Sequence, residues 1–286
     1  QSSRSLMDYT FKVLQTRFPP EVCFVVLAHL HEPAEAVCAG LWPVLLCDAS
    51  YPLTLLGGYA VWVVAAEQGR IEVIEELYRR NIPLQSVHVA EGAAKGGHLA
   101  VLRWIVGVFP DTPCGRAIDH AAKHGHLEVV QWLHMNRSEG YTTRAMDRAA
   151  KNGHLEVVKW LHANRNEGCL RDAMDYAARK GHLEVVKWLH VNRREGCSRD
   201  AMDYAAQKGH LEVVKWLHTN RREGCTVYAI NKAAEHGHLE VIKWLHVNRD
   251  EAILDYAIEY AKDTSHVEVV QWLKAKKAEW LRMHRR

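Results

Sequence analysis

The chain has no CxxC pair, no leader-like apolar stretch at its N-terminus, and no apolar run long and uninterrupted enough to span a bilayer. Each absence removes a class. Without paired cysteine spacing, an odd total of seven cysteines argues against a disulfide framework and for a reducing, intracellular setting, cytoplasm or nucleus. The short apolar runs exclude a transmembrane protein and leave no membrane partner to expect. Net charge is only +3, on 37 basic and 34 acidic residues, too little to demand nucleic acid or an anionic membrane. A glycine-rich phosphate loop, a nucleophile elbow and an HExxH pair are missing too, and the carboxylates recur in columns instead of forming the single asymmetric cluster that catalysis needs. No enzyme, cofactor, metal or small-molecule substrate is expected.

What the sequence has in abundance is repetition. Gly-His pairs stand at 97–98, 125–126, 153–154, 181–182, 209–210 and 237–238; one step back lies Gly69-Arg70 and one step forward Ser265-His266. The step is 28 throughout and predicts eight repeats over residues 57–280. The period also accounts for the high counts of 19 histidines and 10 tryptophans, since one column of each advances with it.

Each repeat predicts two short helices. In "RAMDRAAKN", Met146, Ala149 and Ala150 share one face, and an Ala-Ala pair recurs through 65–66, 93–94, 121–122, 177–178, 205–206 and 233–234, small enough to let a neighbouring helix approach closely. Gly153 ends this helix. The second helix, from Leu155 to about Asn164, turns Val157, Val158, Trp160 and Leu161 inward and sets Glu156 and Lys159 for pairing, with Asn164 expected as a left-handed cap and Gly168 as the return turn. Neither helix reaches the roughly 12–15 residues at which an isolated helix is even marginal in water, so only stacking on neighbours stabilises them.

The segment "RAMDRAAKNGHLEVVKWLH" resembles the ankyrin repeat, whose pattern pairs a TPLHxAA first helix with a GHxEVVxxLL second helix over about 33 residues. The resemblance covers about four fifths of the chain. It implies an all-α solenoid of stacked helix-turn-helix repeats that binds other proteins and has no catalytic role. Two departures stand out. Asp119, Asp147, Asp175 and Asp203 replace the pattern's histidine, with Asn231 next in line, and the shorter step removes the residues that build long β-hairpin fingers.

The columns read as structure. Equivalent histidines in stacked helices lie about 8–10 Å apart, too far to share one ion, so His98, His126, His154, His182, His210, His238 and His266 are expected to bridge adjacent turns. The tryptophans at 104, 132, 160, 188, 216, 244 and 272 are expected to fill the space between second helices, and Cys169, Cys197 and Cys225 to be free thiols in turns.

Recognition is then expected where the columns vary. With Met146, Ala149 and Ala150 inward, positions 148, 151 and 152 face out on the concave side. The equivalent sets are His120, Lys123, His124; Arg148, Lys151, Asn152; Tyr176, Arg179, Lys180; Tyr204, Gln207, Lys208; Lys232, Glu235, His236; and Tyr260, Asp263, Thr264. This face is basic and dotted with tyrosine, turning mildly acidic toward the C-terminal end. Tyrosine and arginine dominate interface hot spots, and the expected partner is an acidic or phosphorylated protein segment gripped by a monomer. Nucleic acid is the weaker candidate for the same face, because Asp147, Asp175 and Asp203 are taken to flank it and dilute its field.

The ends differ from the period. Residues 1–56 predict a helical N-terminal cap, and "FPPEVCFVVLAHL" resembles the opening of an F-box through Pro20, Glu21, Val22 and Leu30, which would imply docking to a ubiquitin-ligase scaffold with the solenoid choosing the substrate. The last repeat replaces an alanine by Lys262 and the glycine by Ser265, as a terminal cap requires, and 281–286 form a basic tail.

Overall fold

The computed structural model describes residues 59–137, 143–249 and 254–283; the expected N-terminal cap with its F-box-like segment and the end of the basic tail lie outside them. Among the described residues there are sixteen helices and no strand. The described residues fall into two compact bodies, residues 59–121 with 128–137 and residues 122–127 with 143–249 and 254–283.

The N-terminal body contains α1 (Tyr59–Glu67), α2 (Ile71–Arg79), α3 (Ser86–Gly96), α4 (Leu99–Val108), most of α5 (Gly115–His124) and α6 (Leu127–Asn136). Here α1 packs on α3, each carrying an Ala-Ala pair with no exposed surface. Lys95 Nζ reaches Glu67 Oε2 at 2.8 Å and His98 Nε2 donates to the Glu67 carbonyl at 2.9 Å, tying one repeat to the last.

The C-terminal body takes up the end of α5 and runs through α7 (Arg144–Lys151), α8 (Leu155–Asn164), α9 (Asp172–Arg179), α10 (Leu183–Asn192), α11 (Asp200–Gln207), α12 (Leu211–Asn220), α13 (Val227–Glu235), α14 (Leu239–Asn248), α15 (Leu254–Asp263) and α16 (Val267–Met283). The odd-numbered first helices pack directly on one another, α7 on α9, α9 on α11, α11 on α13 and α13 on α15, and each also packs on its own second helix; second helices meet each other more sparsely. The reason is size. Ala177, Ala178, Ala205 and Ala206 are fully buried and let backbones approach, whereas the second-helix layer must accommodate tryptophan. Within α8, α10, α12 and α14, the two β-branched residues and the leucine are buried, as in Val185, Val186 and Leu189, each such side chain contributing about 1.5–3 kcal/mol of transfer free energy.

Three devices join repeat to repeat. The Gly-His turn is the first. Gly181 sits at φ 80° and, with His182, closes α9 by amide bonds to Ala178 and Ala177. The histidine ring of the following repeat lies against this glycine, and its Nε2 donates to a carbonyl 31 residues earlier, as His154 does to Lys123 at 3.0 Å. The expected bridging role of the histidine column is therefore met.

The second device lies between second helices. Trp188 meets the His162 ring edge-on at 5.1 Å, Trp216 meets His190 at 5.2 Å and Trp244 meets His218 at 5.0 Å. Arg193 Nη1 donates to His162 Nδ1 at 3.2 Å and Arg221 Nη1 to His190 Nδ1 at 3.3 Å, while each guanidinium also pairs with the glutamate two residues on, Glu195 or Glu223. Asn164 is not a left-handed cap. It ends α8 in helical register with its amide donating to the Trp160 carbonyl at 2.9 Å, and Arg165 leaves in extended conformation, because the chain must run straight into the Arg-Glu turn.

The third device is the aspartate column, and here the structure corrects the expectation that these carboxylates flank an outer face. Asp175 and Asp203 are buried, and each catches the start of the next repeat: Asp175 accepts from the Ser198 amide at 2.8 Å and its hydroxyl at 2.6 Å, Asp203 from the Thr226 amide and hydroxyl, both at 2.8 Å. Asp147 accepts from the Leu170 amide at 2.8 Å. Ser198 and Thr226 in turn cap the following helix through Asp200 and Tyr228 amides.

Cys169, Cys197 and Cys225 are free and buried beside these turns, with Cys114 in the same state. Burial pushes the thiols of Cys169 and Cys197 up to about 11. Alkylation of the native protein near pH 8, mapped by mass spectrometry, should leave both unmodified, and denaturant should expose them to full labelling; native labelling at the rate of a free thiol would contradict this burial.

Candidate functional site

With the alanine faces buried and Asp147, Asp175 and Asp203 turned into the inter-repeat joints, the outward side of each first helix carries positions 148, 151 and 152 and their equivalents, with Arg144, Asp172, Asp200 and Tyr228 exposed one turn earlier. In the C-terminal body, Lys123, Lys151, Lys180, Lys208, His236 and Tyr260 are exposed there, while Arg148, Tyr176, Arg179, Tyr204 and Lys232 are half-buried. His120 belongs to the N-terminal body and is half-buried; His124 stacks on His126 at 6.4 Å.

These side chains are not independent. Lys151 Nζ stands over the Tyr176 ring at 4.7 Å, and Arg179 Cζ over the Tyr204 ring at 5.0 Å. Tyr204 meets Tyr228 edge-on at 6.5 Å, and Lys232 Nζ lies over both Tyr228 at 5.5 Å and Tyr260 at 5.1 Å. All of these contacts except Lys232–Tyr228, which lies within α13, cross from one repeat to the next, so cations and rings interleave along the layer. A ring face attracts a cation by about 0.5–1 kcal/mol at exposed sites, enough to hold its direction without neutralising it. Among the described residues, Lys151 and Arg179 take part in no ion pair, whereas Lys232 pairs with Glu235, whose hydrogen bond raises the lysine above its ordinary value. The Asp200 carboxylate pushes the Tyr204 phenol up, keeping it a hydrogen-bond donor at neutral pH.

Two tyrosines on this side were not among the residues read from the sequence. Tyr228 joins the ladder from the first turn of α13, and Tyr256 is 58% exposed at the matching place in α15. Both lie four residues before a predicted face residue, Lys232 and Tyr260, and that i, i+4 relation was the available signal. Among the described residues, no three His, Cys, Asp or Glu side chains group as metal ligands would, and no helix is long and apolar enough to cross a membrane.

The family described as Ankyrin repeats (many copies) matches residues 91–134, 118–162, 146–190 and 174–218, and that described as Ankyrin repeats (3 copies) matches 202–283. The chain belongs to the ankyrin-repeat family. A search of curated proteins finds no match. Ankyrin repeats make this a protein–protein interaction scaffold built as stacked helical pairs, of a family whose members are generally non-catalytic. In this chain the aspartate that stands where the pattern has histidine latches the turn of the next repeat.

Proposed function

We propose that this ankyrin-repeat scaffold holds an acidic or phosphorylated segment of a partner protein across the first helices of its C-terminal body, acting without catalysis. The observation that carries the reading is the pair Lys151 and Arg179, each steadied by a tyrosine of the next repeat and each without a carboxylate partner among the described residues. A cation already held in place loses little side-chain freedom on meeting an anion, which is where a flexible surface lysine normally gives affinity away. Exposed Lys123, Lys180 and Lys208 extend the same field. The buried setting of Asp175 and Asp203 supports it further, since carboxylates taken up by inter-repeat hydrogen bonds do not stand on this face.

Reversing Arg148, Arg179 and Lys180 to glutamate together should abolish binding of acidic and phosphoserine-containing peptides in fluorescence anisotropy, while the circular dichroism spectrum is unchanged. Wild-type affinity should fall as salt rises, because exposed charges more than about 8–10 Å apart are screened at physiological ionic strength. Retained binding by a folded triple variant would remove this face as the site.

A further inference from the structure

The ladder has a pitch, and the pitch selects a ligand conformation. One column of the face, read through successive repeats of the C-terminal body, is Lys123, Lys151, Arg179, Gln207, Glu235 and Asp263. Its first three members are cations on consecutive repeats; none of the three is in an ion pair among the described residues. Tyr176 and Tyr204 stand beside the second and third as half-buried aromatic rings, each lying under its cation. The column then becomes neutral at Gln207 and acidic beyond it.

Packed helices repeat at about 8–10 Å. A polyproline-II segment rises about 3.1 Å per residue with three residues per turn, so one face recurs every 9 Å or so. A β-strand covers a similar distance in three residues, but its side chains alternate, so that every third one points the opposite way. Only the left-handed extended helix keeps residues i, i+3 and i+6 on one side at the spacing of the rungs. Tyrosine rings also suit it, since proline faces dock on aromatic-lined grooves with little conformational entropy to lose.

We infer that the partner segment is a polyproline-II stretch carrying a carboxylate or phosphate at every third residue over three turns, with prolines between them lying on Tyr176 and Tyr204. This rests on the reading of the face given above and adds the spacing and conformation of what it takes. The acidic members Glu235 and Asp263 set the polarity, favouring anions over the Lys123 to Arg179 rungs and disfavouring them past Gln207.

The experiment uses the full chain and synthetic fluorescein-labelled peptides of one composition, glutamate and proline with alanine, in which three glutamates stand at i, i+3 and i+6, at i, i+2 and i+4, or adjacent. Anisotropy titration should give the three-residue spacing about tenfold higher affinity than either isomer. That advantage should disappear in a folded K123Q/K151Q/R179Q variant, and replacing the prolines by glycine should erase most of it. Equal or tighter binding of the other isomers overturns the spacing while leaving an acidic groove in place. Binding of no acidic peptide at all overturns both.

Discussion

Gly181→Ala should destabilise the chain by about 3 kcal/mol and lower the thermal midpoint by several degrees. Two costs add. Gly181 has φ 80°, a conformation that costs an alanine roughly 1–2 kcal/mol. A Cβ there would also stand 2.7 Å from His210 Nδ1, inside any real contact. The ring must move, and the hydrogen bond it gives the Arg179 carbonyl moves with it, a further loss of about 1 kcal/mol or more. Gly107 supplies the control. It lies inside α4 with nothing within 4 Å of a built Cβ, so Gly107→Ala should be neutral or stabilising by about 0.5–1 kcal/mol. Urea unfolding of the two variants decides the matter: a Gly181→Ala midpoint no lower than that of Gly107→Ala would mean that the Gly-His joint is not what couples the repeats. Because each repeat contacts only its neighbours, the damage should spread as loss of cooperativity, visible as a shallower transition.

How much of this was readable beforehand divides along one physical line. Burial of apolar groups on a helix leaves a period in the sequence, and so Ala149-Ala150, Val157-Val158 and Gly153-His154 announced the first helix, the second helix and the joint between them, together with the fold they stack into. Polar contacts leave no such period. Asp175 occupies a position that looks exposed on a helical wheel of hydrophobicity, yet it is buried, because its partner is the backbone and hydroxyl of Ser198, 23 residues further on, in a segment whose conformation is set by the next repeat. The same holds for Arg193, whose guanidinium lies between Glu195 and His162, a residue 31 positions earlier. On the outward face the residue types were legible but their coupling was not. Lys151 and Tyr176 are 25 residues apart, and only the stacking of α7 on α9 places one over the other. Asn164 failed as a cap for a related reason: its own amide satisfies a carbonyl of the helix, which removes the need for a left-handed turn.

Acidification should weaken the fold as soon as the pH drops below the ordinary histidine range. His182, His210 and His238 are each held below the ordinary histidine value of 6.5, first of all by burial between repeats. His182 is further lowered by His154 and His210 on either side and by Lys180, and His238 by His236, His210 and His266; the carbonyls of Lys151, Arg179 and Gln207 act the other way. His246 is lowered as well, first by burial and then by Lys276, with Glu279 acting the other way. A ring that already donates Nε2–H to a carbonyl gains a second N–H on protonation, at Nδ1, which faces the preceding glycine turn. A lowered folded-state value means that the unfolded chain takes up protons first. The stability these rings contribute is therefore complete above pH 6.5 and is lost as pH falls through their folded-state values. Glu195 and Glu223 respond in a lower window. Burial raises them, but their Arg193 and Arg221 hydrogen bonds and nearby backbone amides outweigh it, so their contribution is lost only below 4.5. Urea midpoints should thus stay level above about pH 6.5 and fall from there to about pH 5.5, with the loss compounded by mutual repulsion along the column. Glutamine at 182, 210 and 238 keeps an N–H for each carbonyl and removes the titration, so this variant should start less stable and show a much flatter pH dependence. A wild-type midpoint that stays level across that range, or a variant as pH-sensitive as the parent, would rule out the histidine column as the acid-sensitive element and leave it a purely geometric spacer.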